Sequence, residues 1–285
     1  MIRIKAPAKI NLSLSVVGKQ THFHEVEIIM TNIDLADYIT IKKSPNAKKQ
    51  ITLLSDSPNM AVGRGNLVYR AAEIFMKHYN ITDKVEIQIE KNIPIAAGLA
   101  GGSSDAAATF KGLRELFNVD CSDEDLCELG AILGSDVPFC IIGGTALATG
   151  RGEIITPIKS PPLCWVVIVN PRLAVSTRKI YSSFNLDESN EIDTQLMLNA
   201  IENGDFNEMC MHLANNLEPV TIKLFPVVSQ IKEALYSSGA NGVRMSGSGP
   251  TVFALVYTEK KAKQIYHRMK QIFPTFTVHM ARLLV

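Results

Sequence analysis

The segment PIAAGLAGGSSDAAA, residues 94–108, stands between the alternating run Val85-Glu-Ile-Gln-Ile-Glu90 and a stretch in which Ala106, Phe110, Leu113 and Phe117 recur at spacings of four, three and four. The first pattern has the period of a half-buried strand, the second that of a helix over residues 103–117. Between them the chain passes through a loop almost bare of side chains. Glycine there opens left-handed conformations and lets a ligand come close. The helix that follows presents unpaired N–H groups and the positive end of its dipole. Strand, bare loop and helix N-terminus in this order make a cradle for an anion, typically phosphate.

The remaining patterning mixes strands and helices. Ile10, Leu12, Leu14 and Val16 alternate with Lys9, Asn11, Ser13 and Ser15, which predicts a strand with one buried face and a polar face carrying Lys9. Val26–Met30 and Ile39–Lys43 read as further strands. Asn66 is placed to cap a helix whose Leu67, Ala71, Ile74 and Phe75 share a face, and Ser122-x-x-Asp125 reads as a capping motif before Leu126, Leu129 and Leu133. Pro157, Pro161 and Pro162 suggest a boundary, with domains at 1–156 and 157–285. Beyond it come the apolar run LCWVVIVNP, helices through 192–236, the strand VFALVY, a helix over 259–272 and a final strand FTVHMARLL. The order lacks a regular βαβ alternation, which favours an α+β fold over a doubly wound parallel sheet.

Charge and cysteine content exclude several classes of function. Lys plus Arg number 29 against 28 Asp plus Glu, so no global field favours nucleic acid or an anionic membrane. The longest apolar run, Leu163 to Val169, has seven residues, far short of the roughly 20 of a membrane-spanning helix. The N-terminus lacks the pattern of a secretory signal, and the chain is read as cytoplasmic. Five cysteines without a C-x-x-C pair argue for reduced, mostly buried thiols.

Two familiar phosphate motifs fail on the bare loop. No lysine follows Gly101 or Gly102 as a Walker loop requires, and the dinucleotide pattern G-x-G-x-x-G is missing. What remains, P-x-x-x-G-L-x-G-G-S-S over Pro94 to Ser104, closely resembles the second motif of the GHMP kinases. APAKINLSL at 6–14 and MSGSGPTVFAL at 245–255 resemble the first and third. Within that superfamily, APAKINL, the GSDVPFC segment around Asp136 and GGTALATGRG at 143–152 are most similar to the 4-diphosphocytidyl-2-C-methyl-D-erythritol kinases. The resemblance implies a two-lobed α+β GHMP kinase fold: an N-terminal lobe like the second domain of ribosomal protein S5, a ferredoxin-like C-terminal lobe and an active site in the cleft. It implies an ATP- and Mg²⁺-dependent kinase of the non-mevalonate isoprenoid pathway, phosphorylating the 2-hydroxyl of a cytidine-diphosphate-linked alcohol. It also implies a monomer or weak homodimer with no nucleic-acid or membrane partner.

Carried over position by position, the resemblance makes Asp136 the acceptor of the substrate hydroxyl proton and Lys9 the charge that holds it ionised and steadies the moving phosphoryl group. ATP would lie against Pro94, Ile95, Ala96, Ala97, Gly98, Leu99, Ala100, Gly101, Gly102, Ser103 and Ser104, the glycines and serines offering donors to the triphosphate. Asn66, Leu67 and Lys91 match positions near the nucleotide, although a helix cap, a core leucine and a surface lysine explain them almost as well. The substrate would meet Asn11, Phe23, His24, Asp136, Thr177, Tyr181, Ser246, Gly247, Ser248 and Gly249, with Phe23 and Tyr181 on the two faces of the cytosine and His24 on its edge. The metal ligands stay open.

One stretch departs from the pattern. Relatives carry D-G-Y-H where this chain has Thr21-His22-Phe23-His24. Phe23 keeps a ring that can stack and His24 both imidazole nitrogens. The lost glycine puts the loop's shape in question. A catalytically silent nucleotide-binding paralogue and a GHMP kinase for a different small alcohol are the alternatives.

Overall fold

The computed structural model of the chain describes residues 1–20, 23–58 and 60–284. Its strands are β1 (Ile2–Lys19), β2 (His24–Lys43), β3 (Ile51–Ser55), β4 (Val85–Glu90), β5 (Thr145–Thr149), β6 (Ile154–Pro157), β7 (Trp165–Asn170), β8 (Ala214–Asn215), β9 (Gly242–Met245), β10 (Val252–Val256) and β11 (Thr277–Arg282). Its helices are α1 (Leu67–His78), α2 (Gly101–Phe117), α3 (Asp123–Ala131), α4 (Asp136–Ile142), α5 (Thr177–Ser183), α6 (Thr194–Glu202), α7 (Phe206–Met211), α8 (Glu218–Leu224), α9 (Val227–Ser237) and α10 (Glu259–Ile272). The order is mixed, as the sequence pattern anticipates for α+β. The two segments Val26–Met30 and Ile39–Lys43 are parts of one strand, β2, because the residues between them continue the extended ladder. Among the described residues no helix is long and apolar enough to cross a membrane.

The chain forms two compact units that interleave along the sequence. The first comprises Met1–Ala8, Ala36–Ile93 and Ala100–Gly143. In it β4 lies between β3, which it joins in parallel with Ile51 opposite Val85, and the second half of β2, which it joins antiparallel with Ile39 opposite Ile89. Ile39, Ile41, Ile87 and Ile89 turn inward and are fully buried. Ile41 packs against Gly112 of α2, and the Phe75 ring of α1 lies 6.3 Å from Phe110 of α2.

Asn66 caps α1 by accepting from the N–H of Val68 at 2.9 Å. The helix buries Val68, Ala71, Ala72, Phe75 and Met76, while the expected Leu67 and Ile74 are only half-buried. The spacings 68, 71, 72, 75 and 76 show the apolar stripe turned slightly from the one read off the sequence. Ser122 and Asp125 form a full capping box on α3, each side chain accepting from the other's backbone N–H.

The second unit comprises Lys9–Leu35, Pro94–Leu99 and Gly144–Val285. Its antiparallel sheet has the order β11-β7-β10-β9. Val166 to Val169 are buried on both faces, and α9 and α10 pack against this sheet. A second group of strands joins the first half of β2 to β5, and β5 to β6. The short β8 runs parallel to β1 at Ser13 and Leu14. Cys140 and Cys164 are buried, while Cys121, Cys127 and Cys210 are half-buried and all five are unbridged. Burial pushes the Cys210 thiol up to about 12, which keeps it protonated and inert.

The capping box gives a direct test. Ser122→Ala removes the acceptor for the Asp125 N–H and should cost about 1 kcal/mol of unfolding free energy. A urea midpoint equal to that of the parent protein contradicts the role.

Candidate active site

The polar face of β1 is buried like its apolar one. Lys9 is 4% exposed, Asn11 1%, Ser13 0% and Ser15 4%. Alternation alone says that two faces differ, and here the polar one is covered by the protein's own loops. Lys9 Nζ donates to Asn11 Oδ1 at 2.7 Å. The Asn11 amide nitrogen and the Ser13 hydroxyl are buried with no protein partner, as unsatisfied groups at a binding surface often are.

Three distant stretches of sequence meet around this face within the second unit. The backbone N–H of Lys9 donates to the Leu99 carbonyl at 3.1 Å. Ser246 Oγ lies 2.9 Å from the Gly98 carbonyl and 3.3 Å from Asn11 Oδ1. Gly98 has a φ of +75°, and a Cβ on it would strike the Ser246 carbonyl. Only glycine meets both demands. The residues bracketing it, Ala96 and Ala100, also have positive φ, at 53° and 54°. Repeated left-handed residues in a short loop turn backbone N–H groups toward one concave side.

The turn Ser246–Gly249 is held by side chains that the sequence reading did not single out. Asn215 donates to the carbonyls of Met245 and Gly247, both at 2.8 Å, and Thr221 Oγ1 donates to the Ser248 carbonyl at 3.1 Å. Glu218 accepts from the Met245 N–H at 2.8 Å while pairing with Lys232 and Arg244. Ser248 and Thr177 share a hydroxyl hydrogen bond of 2.9 Å. The only signal in the sequence was the polar run Asn215-Asn216 before a leucine and an acid, which ordinary capping explains as well.

A ring cluster lies in the same unit. His24 is 5.4 Å from Tyr181 and meets Phe184 edge-on at 6.1 Å. Tyr181, expected on one face of the cytosine, has His24 as a ring neighbour. Phe23 instead lies under the guanidinium of Arg151, at 5.9 Å. Burial, with Lys19 nearby, lowers the His24 pKa and keeps the imidazole neutral at pH 7, with one donor and one acceptor. Thr21 and His22 lie outside the described residues.

In the first unit α2 opens at Gly101, preceded by Ala100, which offers no side-chain cap. The N–H groups of its first turn are therefore left uncapped by side chains, and no acidic residue sits there to quench the dipole. Ser104 corrects one expectation: its hydroxyl donates to the Pro7 carbonyl at 2.7 Å and its N–H to Ala100. It supports the turn, because it points into the core instead of out toward a ligand. Lys91 corrects another: far from lying on the surface, its ammonium is buried and pairs with Asp37 and Asp105. Asn66 is occupied by its capping bond and a bond to the Ala61 carbonyl, and Leu67 packs beside Gly102. Asp136 is the first residue of α4 and is half-buried.

Comparison with known proteins places this geometry. Residues 66–144 match the GHMP kinases N terminal domain and residues 197–275 the GHMP kinases C terminal domain. The chain is 50% identical over 267 residues to the 4-diphosphocytidyl-2-C-methyl-D-erythritol kinase of Bacillus subtilis (strain 168), covering 93% of this chain and 92% of the relative. It is 45% identical to the Macrococcus caseolyticus kinase of the same name, over the full length of both. The chain belongs to the 4-diphosphocytidyl-2-C-methyl-D-erythritol kinase family. A crystal structure of a 4-(cytidine 5'-diphospho)-2C-methyl-D-erythritol kinase superposes with a TM-score of 0.83 at 30% identity, covering 99% of each chain. The homoserine kinase of Cytophaga hutchinsonii, at 20% identity and a TM-score of 0.78, shares the fold. The buried polar strand, the glycine approach and the Ser246 turn come from the three stretches that resemble GHMP kinase motifs.

Gly98→Ala adds a Cβ in left-handed backbone and against a carbonyl. The left-handed conformation alone should cost at least about 1–2 kcal/mol of stability. Urea unfolding measures this, and an unchanged midpoint would show that the approach is looser than described.

Proposed function

We propose that this chain transfers the γ-phosphoryl group of ATP to the 2-hydroxyl of 4-diphosphocytidyl-2-C-methyl-D-erythritol, in the cytoplasm, as a step of the non-mevalonate route to isoprenoid precursors. The observation that carries the reading is near full-length identity of 45–50% to kinases of that name, with all three motifs intact in sequence. Phosphoryl transfer needs alignment and charge neutralisation more than covalent chemistry. The chain's equipment suits this: N–H groups at the start of α2 for the triphosphate, and a buried ammonium at Lys9.

In the proposed step the substrate 2-oxygen bonds to the γ-phosphorus while the bond to the β–γ bridging oxygen breaks, releasing ADP. The hydroxyl proton passes to the Asp136 carboxylate. Lys9 stabilises charge on the moving group and is oriented by Asn11. Mg²⁺ brought by ATP would supply neutralisation of the phosphate charge. The rings of His24, Tyr181 and Phe184 suit a cytosine, with the neutral His24 able to read its edge. The domain division at 156/157, a monomer or weak homodimer, and the lack of a nucleic-acid partner belong to the same proposal.

Release of ADP from Mg-ATP in the presence of the cytidine substrate tests the reading. Turnover with another alcohol alone would move the assignment within the superfamily, and binding of nucleotide without turnover on any alcohol would make the chain a silent paralogue. Asp136→Asn should lower turnover by roughly 100- to 10,000-fold with little change in ATP affinity, and a near-normal rate removes Asp136 from the role. Tyr181→Ala should raise the KM for the cytidine substrate by the equivalent of about 1–3 kcal/mol of lost stacking. An unchanged KM returns Tyr181 to a packing role.

A further inference from the structure

Beneath the first turn of α2 lies a cluster of three titratable side chains that the reaction above does not use. Lys91 Nζ donates to Asp37 and, at 2.8 Å, to Asp105. Their side chains are 6%, 0% and 2% exposed respectively. Asp37 Oδ1 also accepts from the backbone N–H groups of Asn92 and Ile93, at 2.5 and 2.8 Å. Asn92 in turn donates to the Ala36 carbonyl at 2.9 Å. The carboxylate of Asp37 thereby fixes the chain just after β4. Asp105 lies one turn into α2, four residues beyond Gly101. A Cβ on Gly101 would sit 3.0 Å from Lys91 Nζ and 3.0 Å from Ile93 Cγ2. The ammonium therefore lies directly under the backbone at the start of the helix.

The charge count is odd. Two carboxylates share one ammonium, and a net negative charge in a buried site is expensive. The bonding is uneven as well: Asp37 has both oxygens engaged, whereas Asp105 Oδ1 is buried with no partner. An ionised carboxylate would leave that oxygen's full charge unsatisfied, so a proton belongs on the less supported acid. The charged groups facing Asp105 are Lys91 from beyond β4 and Asp37 from β2. The helix α1, packed on α2, turns Val68, Ala71, Ala72 and Phe75 inward, and α4 turns Val137, Phe139 and Ile141.

We propose that Asp37, Lys91 and Asp105 are positioning residues for the phosphate loop, holding the first turn of α2 in its nucleotide-binding place while Asp105 carries a proton, and that loss of this proton weakens ATP binding. The inference rests on the kinase reading for its ligand. Burial, with Asp37 alongside, pushes the Asp105 pKa up to about 7, against the pull of Lys91. A proton held there would be released within the physiological range. Its loss adds a negative charge one helical turn from the site proposed for phosphate and unbalances the pairing at Lys91. The sign for stability follows from the same shift. A raised carboxyl pKa means that the folded protein holds the proton after the unfolded chain has lost it, so stability falls as pH rises from the unfolded value through about 7.

The test compares the wild-type protein with Asp105→Asn, whose amide has the shape of the protonated acid. Calorimetric titration with Mg-ATP at about pH 6 and about pH 8.5 brackets the transition. Wild-type affinity should weaken relative to that of Asp105→Asn by about 3- to 10-fold between the two, the scale of one added nearby charge. ATP's own ionisation is common to both proteins and cancels in the ratio. The gain in melting temperature from Asp105→Asn should be larger at the higher pH. In wild-type protein, difference infrared spectroscopy should show a protonated carboxyl band that disappears over the same range and is missing from the variant. The spectrum tests the proton even if the variant does not fold. Absence of the band at the lower pH overturns the proposal, as does a variant that alters the pH dependence of melting but not that of nucleotide affinity. Wild-type protein that binds Mg-ATP as described yet phosphorylates no alcohol leaves the positioning role standing and sinks the kinase reading. Failure to bind Mg-ATP at either pH overturns both.

Discussion

The backbone at Gly98 meets the Ser246 carbonyl more closely than any residue with a Cβ allows, and the arrangement of the second unit's polar face follows from that approach. The Gly98 carbonyl receives the Ser246 hydroxyl, which also reaches Asn11, which receives the Lys9 ammonium, while the Lys9 N–H returns to Leu99. The contacts form a closed circuit through residues about 90 and 150 positions apart. Such a circuit leaves little freedom to its members, so Lys9 is held in place before any ligand arrives. Groups fixed in advance cost no reorganisation during reaction, which is how enzymes obtain much of their electrostatic advantage.

That order comes at a cost in stability. Four polar side chains in a row on β1 are buried, and burying a polar group without a partner costs about 1–3 kcal/mol. Lys9 is relieved by Asn11 and the Ser246 turn by Asn215, Glu218 and Thr221. The Asn11 amide and the Ser13 hydroxyl receive no such relief from the protein. A core selected for stability alone would place apolar residues at these positions.

The sequence made the local elements legible wherever a single segment decides its own fate. Asn66 and Ser122 cap the helices expected of them, because a cap depends on residues two or three positions away. The period of two in residues 9–16 identified a strand but not the burial of its polar face, which depends on loops from elsewhere in the chain. The same limit explains the side chains misjudged near the phosphate loop. Residue type marked Lys91 and Ser104 as donors, yet what a donor points at is set by Asp37 and Pro7, far away in sequence. Asp37 shares β2 with Glu25, Glu27 and Asp34, so residue type alone did not single it out. Short elements such as β8 and α5 have too few residues for any period to show.

With Lys91 enclosed by two carboxylates, the anion binding proposed for the loop would have to come from elsewhere. The first turn of α2 would supply it through the absence of competitors. A serine or aspartate at the capping position would occupy the N–H groups of that turn with its own oxygen, whereas Ala100, in a left-handed conformation, has none to offer. No acid follows in the turn to cancel the dipole. The left-handed alanine is the less comfortable choice for the backbone, by roughly 1–2 kcal/mol. It is the choice that leaves the donors open, and the buried cluster below can then act by placing those donors without competing for what they bind.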